Sequence, residues 1–190
     1  MARPITFDPD AAVDRAVDLF WTRGYRALSV DDIVRETGLN RHSLYARFGN
    51  KFGLLQAALD RYCDVTVAEL AAALAVPGTP RQRLEALFRQ RLPDSGSPFW
   101  ERMLQHGCFG VRTMSELREE HPELIELCAV FSRAIERLLL PVLRDGQESG
   151  DFRRDKSPED LARVLAVGFM APLMLPADEA RNRAFLALLT

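Results

Sequence analysis

The sequence predicts an all-α protein, and three observations carry that reading. Apolar residues recur at helical spacing from one end of the chain to the other. A polar residue followed by proline stands at Asp8-Pro9, Thr79-Pro80, Ser97-Pro98 and Ser157-Pro158, each pairing an N-cap oxygen with a residue whose missing N–H is harmless at the first helical position. No segment alternates apolar and polar residues between hairpin turns, as strands would.

The elements follow in order. Val13, Val17, Phe20 and Trp21 mark a first helix from Pro9 to about Arg23, closed by Gly24 where a left-handed cap would sit. Ser29 stands three before Asp32 as a capping box, and Leu28 and Ile33 occupy the hydrophobic-staple positions, so a second helix runs from about Val30 to Gly38. Asn40 caps a short third helix whose Leu44 and Phe48 share one face, and Gly49 ends it. Asn50 caps a long fourth helix with Phe52, Leu55, Leu59, Tyr62 and Thr66 on one stripe, ending at Pro77-Gly78.

Leu84, Leu87, Phe88 and Leu92 mark a fifth helix, stopped by "PDSGSP"; a sixth is expected from Phe99 to about Leu117. Leu124, Leu127, Cys128, Phe131, Ile135, Leu138 and Leu139 mark a seventh, which Pro141 should kink or end. "SPEDLARVLAVGFMAPLML" is the eighth and "ADEARNRAFLALL" the ninth. About nine helices thus divide into a three-helix head over residues 1–52 and a helical body over 53–190.

With 190 residues, 47% hydrophobic and 27% charged, the chain needs neither disulfides nor a metal to fold. Cys63, Cys108 and Cys128 stand far apart in apolar helical patterns, without a C-x-x-C pair. They read as small core fillers in a reducing compartment rather than as redox sensors. The N-terminus has no signal-peptide pattern, and the run "VLAVGFMAPLMLP" is too short and too proline-broken to span a bilayer. A soluble, cytoplasmic protein without a membrane partner is expected.

The stretch "TGLNRHSLYARFGNK" holds three cations, one histidine and no acid in a chain of net charge -2. Its place is the turn and second helix of a helix-turn-helix, the element that enters a major groove by its N-terminal residues. Arg41 suits guanine or a phosphate, His42 and Ser43 suit base edges or phosphates, and Tyr45 offers a ring for a thymine methyl and a hydroxyl for phosphate. Lys51, at the start of the fourth helix, joins the backbone N–H groups there as a phosphate site, and Ser29 is placed for a second backbone contact. A basic short helix is also often merely solvated, with Tyr45 half-buried.

The order and spacing of "LFWTRGY", "SVDDIV", "TGL", "SLYARFGNK" and "LL" over residues 7–62 resemble the DNA-binding head of the TetR family of transcriptional regulators. The resemblance implies that Ser29, Arg41, His42, Ser43, Tyr45 and Lys51 face DNA. His42 stands where glycine is common in that family and Arg47 where histidine is common. The resemblance weakens after about residue 75, although "HGCFGVRTMSELREEHPEL" is similar to a recurring pattern of one subgroup, which lends architecture and no ligand.

For the body, the resemblance implies a cavity for a small apolar effector among helices four to seven. Phe88, Phe99, Trp100, Met103, His106, Phe109, Val111, Met114 and Phe131 are its candidate walls, and ordinary core packing is the competing account of the same residues. It also implies a homodimer on a palindromic operator, joined by the last two helices through Leu161, Val164, Leu165, Gly168, Phe169, Leu173, Phe185 and Leu189. Gly168 would permit close helix approach, while Pro172 and Pro176 depart from a smooth helix.

Enzyme signatures are absent from the sequence: no glycine-rich phosphate loop, no G-x-S-x-G, no H-E-x-x-H and no Glu-x-x-His pairs. No cofactor or metal is expected. A helical interaction protein with an idle head is the other alternative, and loss of the basic outward face would mark it. The reading is a ligand-responsive repressor, with an effector-dependent activator as its variant.

Overall fold

A computed structural model describes residues 9–90, 92, 96–170 and 179–190. These form ten helices: α1 (Pro9–Arg23), α2 (Val30–Thr37), α3 (Arg41–Phe48), α4 (Lys51–Leu74), α5 (Pro80–Arg89), α6 (Pro98–His106), α7 (Phe109–Leu117), α8 (Leu124–Ser149), α9 (Pro158–Met170) and α10 (Glu179–Ala187). No strand occurs among the described residues. The all-α architecture with a helix-turn-helix head therefore stands.

The caps that the sequence announces are made. Ser29 Oγ accepts from the Asp32 amide at 3.1 Å while the Asp32 carboxylate accepts from the Ser29 amide at 3.0 Å, a complete capping box. Hydrogen bonds from Ser29 and Arg35 hold the Asp32 carboxyl well below the ordinary aspartate range. Asn40 Oδ1 accepts from Ser43 N, Asn50 Oδ1 from Gly53 N, and Thr79 forms a second capping box with Gln82. Gly38 closes α2 at φ +75°, a conformation that a Cβ disfavours. Asp8 lies outside the described residues, and Ser97 makes no side-chain cap bond, its hydroxyl donating instead to Glu69.

One expectation needs correction, and one of two alternatives is decided. The sixth helix is two helices, α6 and α7, separated at Gly107-Cys108, because Gly107 at φ +72° turns the chain; apolar periodicity continues across this break and hides it. Pro141 does not end its helix: α8 runs through it to Ser149, with Pro141 on the solvent-exposed face.

The head is built on Ala12, Ala16, Phe20, Leu28, Ile33, Leu39 and Leu44, which are buried together with Leu54 and Leu55 of α4. Helix α4 belongs to both parts, packing on α1 and α3 by its first turns and on α5, α7 and α8 further on. In the body, α8 packs along α9, and Phe88 of α5 meets Phe169 and Phe185 at ring separations of 6.2 and 6.1 Å.

Candidate nucleic-acid interface and body cavity

Helix α3 presents two faces. Leu44 is fully buried and Phe48 packs against the head core, which turns Arg41, His42, Tyr45, Ala46 and Arg47 outward; Tyr45 keeps 47% of its surface exposed. An exposed tyrosine on a short helix is a contact group waiting for a partner with a flat or anionic surface.

The structure adds partners that the sequence did not suggest. Arg41 Nη2 stands 2.5 Å from Asp31 of α2, so any group that Arg41 is to bind must compete with that carboxylate. Both groups are more than half exposed, so the pair holds Arg41 only weakly. Ser43 is half-buried with its amide given to Asn40. Ser29 Oγ is engaged with Asp32, to whose carboxylate it donates at 2.6 Å. The Lys51 ammonium lies 4.0 Å from the centre of the Tyr25 ring, and partial burial lowers its pKa against the opposing charge of Glu116.

One glycine fixes where α4 begins. A Cβ on Gly53 would stand 1.9 Å from the Phe48 carbonyl oxygen, so only glycine lets the last turn of α3 and the first turn of α4 come this close. That approach puts Lys51 beside α3.

The body holds a cavity of about 510 Å³ between α4, α7 and α8. Leu59, Tyr62 and Cys63 come from α4; Cys108, Gly110, Val111, Met114 and Ser115 from the start and length of α7; Arg118 follows α7; and Leu127, Cys128 and Phe131 come from α8. Its size falls within the range of small-molecule sites. Of the expected walls, Val111, Met114 and Phe131 line it.

The other candidates pack elsewhere. Phe88 and Trp100 are buried against Phe169. Met103 is buried in the core, and His106 stands half-buried at the end of α6. Phe99 and Phe109 join Trp21 and Tyr62 in an aromatic cluster behind the cavity. Most of this cavity's lining was not among the expected walls, because the wall is assembled from three helices. The available signal was the cysteines: all three of the chain's thiols converge on this one cavity.

Burial pushes the Cys63 thiol up to about 12 and raises the Cys128 thiol, and burial also raises the Tyr62 phenol. Tyr62 donates to Cys108 Sγ at 3.4 Å. The Cys63 and Cys128 thiols and the Tyr62 phenol are therefore neutral near pH 7. Among the described residues no group of three or more His, Cys, Asp or Glu side chains is placed to hold a metal ion.

Helix α7 also reaches the head. Glu116 accepts from the amides of Tyr25 and Arg26 at 3.0 and 2.7 Å, and Glu120 pairs with Arg26. Arg112 donates to the Trp21 carbonyl at 2.7 Å, and the Trp21 indole donates to the Gly107 carbonyl at 2.8 Å. His121 stacks on Phe52 at 3.5 Å, tied to Glu123. The corner after α1 is thus clasped by the helix that lines the cavity.

Leu161, Leu165, Phe169 and Leu189, expected between subunits, are buried against their own chain, and so is Gly168, where a Cβ would meet the Phe185 ring at 2.3 Å. Phe185 is half-buried on Phe88, and Leu173, Pro172 and Pro176 lie outside the described residues. Of the expected set Val164 is exposed, and it shares the outer surface of α9 with Val167, while Leu188 is exposed just past α10. Among the described residues no helix is long and apolar enough to cross a membrane.

Comparison with known proteins covers both halves. Residues 12–58 match the family described as bacterial regulatory proteins, tetR family, and residues 80–184 match the tetracyclin repressor-like C-terminal domain. The chain is 33% identical over 163 residues to the HTH-type transcriptional repressor ComR of Escherichia coli strain K12, covering 86% of this chain and 76% of that protein. It is 24% identical over 194 residues to the transcriptional regulator YezE of Bacillus subtilis strain 168, covering 99% and 98%. A cysteine mutant of the TetR family regulator CifR, solved with 26-bp double-strand operator DNA, superposes with a TM-score of 0.71 at 26% identity over 98% of this chain and 95% of that one. With both halves matched and the outward face of α3 in place, the chain belongs to the TetR family and is a helix-turn-helix transcriptional regulator.

Proposed function

We propose that this regulator is a ligand-responsive repressor that acts as a homodimer on a palindromic operator, and that it is not an enzyme. The head, residues 1–52, reads DNA; the body, residues 53–190, binds the effector and the second subunit. Arg41, His42 and Tyr45 meet bases or phosphates in the major groove, while Ser29, Ser43 and Lys51 hold the sugar-phosphate backbone. The observation that carries the reading is the exposed face of α3, set by the buried Leu44 and by the close α3–α4 approach at Gly53. The operator DNA held by the CifR mutant supports a DNA partner of the same kind.

The effector is a small, largely apolar molecule in the α4–α7–α8 cavity. Its entry shifts α7, which loosens the hold of Glu116 on Tyr25 and Arg26 and lets the head turn relative to α4. Two heads that turn lose the separation of about 34–36 Å that two half-sites demand. An effector that prefers the released form by about 3 kcal/mol weakens operator binding by more than a hundredfold. The dimer uses the outer face of α9 and the end of α10, where Val164, Val167 and Leu188 are exposed.

Selection of bound duplexes from fragmented source DNA tests this, with an Arg41→Ala/Tyr45→Ala double variant alongside. An inverted repeat enriched by the parent and lost in the variant is the expected result. Equal enrichment by both would mean that α3 does not read the operator. No enrichment by either at low salt would move an idle-headed interaction protein ahead.

A further inference from the structure

The chemistry of the cavity wall narrows what it takes, on the reading that this cavity is the effector site. Among the described residues no carboxylate lines it, and its Cys63 and Cys128 thiols and Tyr62 phenol are neutral near pH 7. Arg118 is the one charged lining residue among the described residues. A cation would find no counter-charge and one guanidinium against it, whereas an anion finds a fork of donors.

Arg118 is also uncommitted, although acids surround it in sequence. Glu116 is spent on the Tyr25 and Arg26 amides and Glu120 on the Arg26 side chain. Among the described residues no carboxylate lies within ion-pair distance of Arg118, whereas Arg133 and Arg144 of α8 are both paired. The rest of the wall is rich in sulfur: Cys63, Cys108, Met114 and Cys128 stand with the Tyr62 and Phe131 rings around the same space. Sulfur atoms make favourable contacts with aromatic ring edges at about 5 Å, so this wall suits a flat, polarisable ligand better than a flexible alkyl chain does.

We propose that the cavity binds an aromatic monoanion, with its rings among the four sulfur atoms and its acidic group on the Arg118 guanidinium at the mouth. Arg118 then selects among apolar ligands by charge, while the wall selects by shape.

Two dyes that share one skeleton test this on the whole protein. 8-Anilinonaphthalene-1-sulfonate carries the anion, and N-phenyl-1-naphthylamine lacks it. Each is titrated by fluorescence into the parent, Arg118→Gln and Gly110→Leu, with far-UV circular dichroism confirming that each variant is folded. Arg118 is exposed, and a Cβ on Gly110 meets nothing closer than Cys108 Sγ at 3.9 Å, so both variants are compatible with the backbone.

The expected result is that Arg118→Gln weakens the sulfonate roughly tenfold, one charge-assisted hydrogen bond, and leaves the neutral dye unchanged; Gly110→Leu weakens both by filling the space. If Arg118→Gln leaves both affinities unchanged, or lowers them equally, the acid class is overturned while the cavity stands. If Gly110→Leu leaves both affinities unchanged, or neither dye binds the parent, the cavity reading itself is overturned.

Discussion

Gly53→Ala is the perturbation that most directly tests how the head is assembled. Inside a helix, alanine normally stabilises relative to glycine by roughly 0.5–1 kcal/mol, because it restricts the unfolded chain. Here the sign should reverse. A Cβ at this position would stand 1.9 Å from the Phe48 carbonyl oxygen, whereas ordinary contact begins at 3.4 Å, so α3 and α4 must part by 3.4 minus 1.9, or 1.5 Å. The obstacle is backbone and cannot rotate away. Overpacking of this kind costs about 1–3 kcal/mol, and the movement strains the Asn50 cap, worth about 1 kcal/mol more.

Set against the alanine propensity gain, the net loss is about 1–3 kcal/mol, or roughly 2–12 °C in Tm for a chain of this length. Urea unfolding followed by circular dichroism, at one fixed protein concentration because self-association would add a concentration dependence, measures it. Gly110→Ala is the control, since its Cβ meets only Cys108 Sγ, at an ordinary contact distance of 3.9 Å, and should be neutral or slightly stabilising. A Gly53→Ala protein as stable as the parent would refute the close α3–α4 approach and the placement of Lys51 that depends on it.

Further outcomes are expected. Tyr45→Ala should leave the fold intact and cost about 1–3 kcal/mol of specific binding, while Lys51→Ala should weaken all sequences and flatten the salt slope by about one unit in filter-binding titrations; an unchanged slope would remove Lys51 from the phosphate contacts. Cys63, with its pKa pushed up to about 12, should react with iodoacetamide at pH 8 about fifty-fold more slowly than a free thiol, after allowing for its higher intrinsic nucleophilicity, and its rate should keep rising with pH through pH 10; a plateau below pH 9, read by mass spectrometry, would contradict its burial. Glu116→Gln leaves an amide NH2 facing one of the two head amides, so thermal unfolding should show a loss of about 1–2 kcal/mol. Val167→Glu should shift sedimentation toward monomer if the outer face of α9 is the interface, and an unchanged dimer would place the interface elsewhere.

The head was largely legible because its signals are local. Ser29 with Asp32, Asn40 with Ser43 and Asn50 with Gly53 each close within four residues, so spacing alone announces them. Arg41 with Asp31, ten residues away, was not legible: the acid lies outside the stretch whose lack of acids first drew notice. The body was legible as helices and poorly legible as a site. A methionine or aromatic at helical spacing reports that it is buried, not which of several buried spaces it faces, so Met114 and Phe131 reached the cavity while Phe88 and Trp100 went to the packing around Phe169. The same blindness applies to Leu165 and Phe169, whose apolarity suits a subunit interface and their own core equally well.

What the sequence conceals most completely is that α7 serves two surfaces at once. Within nine residues, Val111 and Met114 face the cavity and Glu116 faces the head. A carboxylate that holds two amides at 2.7 and 3.0 Å has little travel available. Hydrogen bonds at heavy-atom separations near 3.6 Å are effectively lost, so a shift of α7 of about 1 Å releases the clasp. A ligand that makes α7 move by the width of a fraction of an atom therefore changes a contact with the DNA-reading head, with no long chain of intermediates to traverse. Because that lever depends on where α7 sits and not on which atoms push it, the wall residues can be exchanged for a new ligand while Glu116 and its amides stay as they are. The coupling and the specificity are separable in this fold, and the Glu116→Gln and Arg118→Gln variants separate them: the first should loosen the head and, because a ligand no longer has to break the clasp, tighten both dyes alike, whereas the second should weaken the sulfonate alone and leave the head as it is.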